Sequence, residues 1–172
     1  MACFSLASGI NGACDTSMGG ITEVYLTEFA DDIFTVTSGG TEVTEVKSGA
    51  SFYKFNFRKG SSSMTSTLTI DDANGINYVS TELSMTFGKM ETAKRVAISA
   101  LATSELAGIV KDCNGKYWAL GLSEAVTASA GEGATGAARG DSNHYSITLV
   151  DNHTTFPMEV QASVISGLEI AQ

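Results

Sequence analysis

Met90-Glu91-Thr92-Ala93-Lys94-Arg95-Val96-Ala97-Ile98-Ser99-Ala100-Leu101-Ala102-Thr103-Ser104-Glu105-Leu106 leads into Ile109-Val110-Lys111, then Asp112-Cys113-Asn114-Gly115, then Lys116-Tyr117-Trp118-Ala119-Leu120-Gly121. In the first part Ala93, Ala97, Ala100, Leu101 and Ser104 recur at helical spacing, with Lys94, Arg95 and Glu105 off that line. The stripe is mostly alanine, so a helix here is expected to lie close against a sheet. The second part carries Asn-Gly, the strongest short hairpin signal, because both turn positions favour positive φ. Elsewhere apolar and polar residues alternate in steps of two. The expectation is a chain of strands with one clear helix, inside Lys89 to Leu106.

Composition sets the outer bounds. The chain has 172 residues, enough for one domain with a full core, and 43% of them are hydrophobic. It holds 18 Gly and a single Pro, which with abundant Ser and Thr suits many short strands joined by polar turns. A net charge of −9 argues against a surface that grips DNA or anionic lipid. Up to residue 50 the only basic residue is Lys47, against Asp15, Glu23, Glu28, Asp31, Asp32, Glu42 and Glu45. Lys54, Arg58, Lys59, Lys89, Lys94, Arg95 and Lys111 concentrate in the middle. Such a distribution suits copies that stack through opposite charges; the plainer reading is solubility. Cys3, Cys14 and Cys113 cannot all pair and show no zinc spacing, so they read as thiols of a reducing compartment. Met1 to Ala13 is broken by Gly9 and Gly12 and has no basic residue, so no secretory signal is expected, and no apolar run reaches membrane-spanning length.

Along the chain, Met1 to Gly20 reads as an arm or extended lead-in. Strands are expected at Ile21 to Thr27, Ile33 to Thr37, Ser51 to Arg58, Met64 to Ile70, Tyr78 to Phe87 and Leu122 to Ala128. Ser38 to Gly49 reads as a long loop or projecting hairpin, and Ala130 to Asn143 as a Gly-rich loop. Tyr145 to Val150 and Phe156 to Val160 read as a final hairpin pair, with Val164 to Ile170 closing the sheet. There is no internal repeat and no linker, so residues 1–172 form a single domain.

Several motifs look chemical and are not. Gly131-Glu132-Gly133-Ala134-Thr135-Gly136 spells a dinucleotide fingerprint, but a phosphate cradle needs a strand before it and a helix after it, and Glu132 repels phosphate. Arg139-Gly140-Asp141 is an adhesion tripeptide too short to carry weight. Asn152-His153-Thr154 is a glycosylation sequon that matters only after secretion. Asp71-Asp72 with Asn74 and Gly75 lacks the later acidic ligand of a calcium loop. His144 and His153 have no second ligand at metal spacing. There is no nucleophile elbow and no paired acid and base, so neither an enzyme nor a cofactor or metal is expected.

The order of parts carries a resemblance. An alternating strand, Thr81 to Phe87, precedes a short helix with Lys94-Arg95. Then comes a hairpin of the form Val-x-Asp-x-Asn-Gly, Val110 to Gly115, and after Leu120-Gly121 a Gly-rich loop. Asp141 leads into the alternating strand that ends at Leu149, and Pro157 opens the last strand. Over roughly residues 20 to 165 this layout resembles the tail tube proteins of bacteriophages, a superfamily that includes the tube proteins of contractile injection systems. The lead-in Met1 to Gly20 has no counterpart.

The resemblance implies a mainly β (α+β) fold: two packed antiparallel sheets, a β-sandwich or partial barrel, with one flanking α-helix. It implies a virion protein, made in the host cytoplasm. Copies form homo-hexameric rings that stack into a tube, meet other tail proteins, and pass DNA without gripping it; no membrane is involved. Barrel closure between subunits would satisfy strand edges that a soluble chain must otherwise protect. The long loop between early strands would reach the next ring, which places Gly39, Thr41, Glu42, Val43, Thr44, Glu45 and Val46 at an inter-subunit contact. Channel-facing residues should be acidic or small and polar, with Glu23, Glu28 and Glu82 as candidates. The basic cluster Arg58, Lys59, Lys94 and Arg95 should lie on outer or inter-ring surfaces. Two other readings stand beside this one: a capsid decoration or head–tail joining protein, and a monomeric β-sandwich binding module, for instance for carbohydrate, which should present an aromatic platform.

Overall fold

The computed structural model describes residues 9, 16–58 and 60–171. In chain order the elements are β1 (Ile21–Glu28), β2 (Phe34–Val36), β3 (Glu42–Val46), β4 (Ser51–Asn56), β5 (Ser62–Asp71), β6 (Ile76–Gly88), α1 (Thr92–Thr103), β7 (Leu106–Asp112), β8 (Tyr117–Leu120), β9 (Thr127–Ala134), β10 (His144–His153), β11 (Glu159–Val160), α2 (Ala162–Ser166) and β12 (Glu169–Ala171). Eight strands form one sheet in the order β12-β4-β1-β7-β8-β11-β3-β2, and four form a second in the order β5-β6-β10-β9. The fold is mainly β, with two packed sheets and a flanking helix.

Alternation puts one face of each sheet into a shared core. From β1 come Val24 and Leu26, from β7 Val110, from β6 Leu83 and Met85, and from β10 Ile147 and Leu149, all essentially without exposure. The other face of the large sheet builds a second core from Tyr25, Val43, Phe52, Ile109, Ala119 and Val160, with α2 supplying Val164 and Ile165 at its margin. Val43 of β3 and Phe52 of β4 share that core although their strands are far apart in the sheet order, so the large sheet curls on itself as a partial barrel.

The hairpin between β7 and β8 forms where Asn-Gly indicated, with a different turn. Only Gly115 has positive φ, at 82°. Asp112 accepts from Gly115 N–H through its backbone carbonyl (3.3 Å), while its carboxylate takes Asn114 N–H (2.8 Å) and Lys116 N–H (2.9 Å). This is a type I turn closed by a left-handed glycine. Asn114 is thereby free to hold the incoming chain at Met18, accepting from its N–H at 2.8 Å and donating to its carbonyl at 3.1 Å.

Six sequence expectations need correction. Of the strand expected at Leu122 to Ala128 only Thr127 and Ala128 belong to one, the start of β9, with Val126 in an isolated bridge to Leu106. Gly131-Glu132-Gly133-Ala134 lies in strand β9 rather than a loop. Glycine and alanine carry no alternation to read, and the room over Gly133 is filled by the Tyr145 ring. The segments Tyr145 to Val150 and Phe156 to Val160 are not a hairpin: β10 pairs with β6 and β9, whereas β11 crosses into the large sheet beside β8 and β3. Val164 begins no strand; it belongs to α2, and only β12 closes that edge. Ser38 to Gly49 does not project: Glu42–Val46 is an interior strand, antiparallel to β2 and parallel to β11. In α1, finally, Ala93, Ala97 and Ala100 are exposed; Ile98 and Leu101 make the core contact and the helix lies against β9 and β10. Cys3, Cys14, Lys59 and most of Met1 to Gly20 lie outside the described residues; Cys113 is a half-buried free thiol.

Candidate assembly surfaces

The small sheet has one covered and one open face. Register places Ser63, Thr65 and Thr67 of β5 beside Ser84, Glu82 and Ser80 of β6. Those in turn lie beside Thr148, Val150 and Asn152 of β10. Thr86, Ser146 and Glu132 form the next row. Over these rows the open face is hydroxyl-rich, with the carboxylates Glu82 and Glu132; towards the hairpin tip the same face carries Tyr78, Ile76 and Asp71. None of the four strands contains a lysine or an arginine. Its outer strands, β5 and β9, each have one side without a partner strand, and open edges are groups that a folded protein must pair or protect.

The structure separates the three candidate channel residues. Glu82 stands on this open face. Glu23 and Glu28 belong to β1 of the large sheet. Glu23 is engaged from both neighbouring strands: Lys54 of β4 lies 2.7 Å from its carboxylate and Lys111 of β7 3.4 Å, while Tyr25 Oη donates to it at 2.9 Å. Burial works against the charge, but the bonds from Lys54 and Tyr25 and the charge of Lys111 outweigh it and hold the carboxyl below the usual glutamate range. Glu132 was missed because β9 reads as a loop.

The hairpin β5–β6 is the element that projects. β10 accompanies β6 only as far as Val79, opposite His153, so Thr69–Asp71 and Ile76–Tyr78 pair with each other alone. Leu68, Ile70, Ile76 and Tyr78 are 43, 59, 45 and 38% exposed. At the tip, the Asp71 carboxylate takes Ala73 N–H (3.0 Å), Asn74 N–H (3.3 Å) and Asn74 Nδ2 (2.6 Å), so it serves the turn rather than a cation. Among the described residues no three His, Cys, Asp or Glu side chains converge as a metal site.

Of the residues assigned to an early contact loop, Gly39, Thr41 and Glu45 are exposed, Glu42, Thr44 and Val46 are half-buried, and Val43 is fully buried. Val43 therefore cannot reach another copy without opening its own core. Arg58 and Arg95 are exposed; Lys94 is half-buried, shares Glu91 with Lys89, and donates to the Gly88 carbonyl at 2.6 Å. Asp141 of the Arg-Gly-Asp tripeptide is used locally: Ala137 and Ala138 donate to it at 2.8 and 2.7 Å and keep its carboxyl below the usual range.

A cleft of about 310 Å³ opens between α1 and strands β1 and β4, lined by Leu26, Tyr53, Phe55, Ala97, Ala100 and Leu101 among others. The alanines leave the space that larger side chains would fill. No protein-family model matches the chain, and no curated protein matches it.

Proposed function

We propose that the chain is a structural protein of a bacteriophage tail tube, assembling with itself into stacked hexameric rings around a channel for DNA. The supporting observation is the small sheet: four long strands, two open edges, and a hydroxyl-rich face without a basic residue. In such a ring β5 of one copy adds to β9 of the next, and six copies contribute about 24 strands, beyond the number at which a barrel leaves an aqueous channel. The apolar face of the small sheet is already covered by the large one, so the bulk of each subunit stays outside and the hydroxyl-rich face turns inward. Lysine or arginine there would bind phosphates and release counterions, a contribution that adds along a stacked tube; Glu82 and Glu132 do the reverse.

A monomeric binding module fits less well. Its aromatic platform is lacking among the described residues: the exposed aromatics Tyr53, Tyr78 and Phe156 lie on β4, on β6 and between β10 and β11. The test is sedimentation of the purified protein over a concentration and salt series. Rings or longer polymers are expected; a monomer under every condition would contradict the proposal.

A further inference from the structure

The geometry points to a second contact between copies, additional to barrel closure: the β5–β6 hairpin of one copy seats in the groove beneath α1 of another. The inference rests on the tube reading and names the surfaces that join its parts.

The groove is longer than the cleft already described. That cleft shares Phe55 and Ala97 with a small apolar opening at Phe87 and Lys94, which runs into a wider depression bordered by Arg58, Lys89 and Lys94. One end is therefore mainly apolar, with Glu28 at its margin, and the other basic. Arg58 has no ion-pair partner among the described residues, while Lys89 and Lys94 share one glutamate, Glu91; Asp141, at the same rim, is tied to its own loop. The hairpin has the matching order. Its shaft exposes Leu68 and Ile70 on one face and Ile76 and Tyr78 on the other, and its tip carries Asp72, with Asp71 bonded into the turn. The Leu68 and Ile70 face against the apolar cleft and Asp72 at the tip against the basic rim satisfy both surfaces at once.

The two surfaces cannot meet within one copy. The base of the hairpin, at Ser62 and Met85, lies beside the basic end of the groove, at Phe87 and Gly88. The strand then runs away from it for ten residues, a rise of roughly 33 Å that a paired ribbon does not fold back. The contact is head-to-tail, the type that propagates into rings or filaments.

The test places a photo-crosslinking amino acid at Ile70 and, in a separate protein, at Ala97, both exposed. Irradiation is expected to yield covalent dimers in which position 70 is joined to peptides of α1 or β4, and position 97 to peptides of β5 or β6. Leu68→Ser with Ile70→Ser should raise the concentration at which assembly begins by about tenfold or more, because two apolar side chains lose their burial. A97W should do the same by filling the cleft, and both proteins should keep their melting curves. Tubes that form normally while position 70 joins another surface, or while position 97 captures residues 1–20, would overturn this contact and leave the tube reading in place. A protein that neither assembles nor cross-links would overturn both.

Discussion

Asp151 is 4% exposed on the inward face of β10. One carboxylate oxygen accepts Gly121 N–H at 3.2 Å; the other has no partner. Burial pushes its carboxyl above the usual aspartate range, opposed by the Gly121 bond and the charge of His153. Between the ordinary and the raised value the folded chain holds a proton that the unfolded chain has released. Stability from this group therefore rises as pH falls through the raised value, and is complete below the ordinary range. D151N should raise the melting temperature at neutral pH and flatten its pH dependence in that window; a lower melting temperature would contradict this. Glu23 has the opposite sign. Its depressed carboxyl stabilises above the ordinary glutamate range and that contribution is lost as pH falls through the lowered value. E23Q should cost about 1 kcal/mol at neutral pH and nothing at strongly acid pH, read by denaturant melts. At Gly108, an added methyl would sit 2.7 Å from Leu26 Cδ2 and 2.9 Å from the Tyr25 carbonyl oxygen. The strand backbone leaves no easy retreat, so G108A should cost about 2–3 kcal/mol and lower the melting temperature by about 5–10 °C.

Elements with long alternation were legible and short or side-chain-poor ones were not. β1, β6 and β10 announce themselves because every second residue enters a core: Val24 and Leu26, Leu83 and Met85, Ile147 and Leu149. β9 does not, since Ala128, Ala130, Gly131 and Gly133 give no contrast between faces, and with it Glu132 was lost from the candidate channel surface. α2, five residues long, is too short to display a helical period. The separation of β10 from β11 is a long-range choice between sheets that no local pattern records. In α1 the spacing was right and Leu101, on the expected stripe, is the buried residue; Ile98 shares its core contact, while Ala93, Ala97 and Ala100 stay exposed because a methyl group does not reach across the gap to the sheet. The overhang of β5–β6 was half visible: the alternation of β6 runs long, but its excess over β10 appears only once the pairing is known. At its tip Gly75 has φ 66°, a left-handed position. G75A should cost about 1 kcal/mol in a thermal melt and leave the pairing of β5 with β6 intact by hydrogen exchange.

At the scale of the whole molecule, charge and topology divide the labour. The ten lysines and arginines lie outside the four strands of the small sheet, and in the proposed tube the large sheet, curled around its own core, would form the outer wall. E82K with E132K would turn two carboxylates into two cations in every copy. Tubes of that variant should retain double-stranded DNA at low salt and release it steeply as salt rises, while wild-type tubes should not retain it; equal retention by both would argue against a channel at this face. The central claim, that the small sheet closes with its neighbours around a channel, is tested most directly by a cryo-electron-microscopy reconstruction of the assembled protein. In that reconstruction β5 of each subunit should be hydrogen-bonded to β9 of the next, with Glu82 and Glu132 facing the lumen. A lumen lined instead by the large sheet or by Arg58, Lys94 and Arg95, or a preparation containing only single subunits, would contradict it.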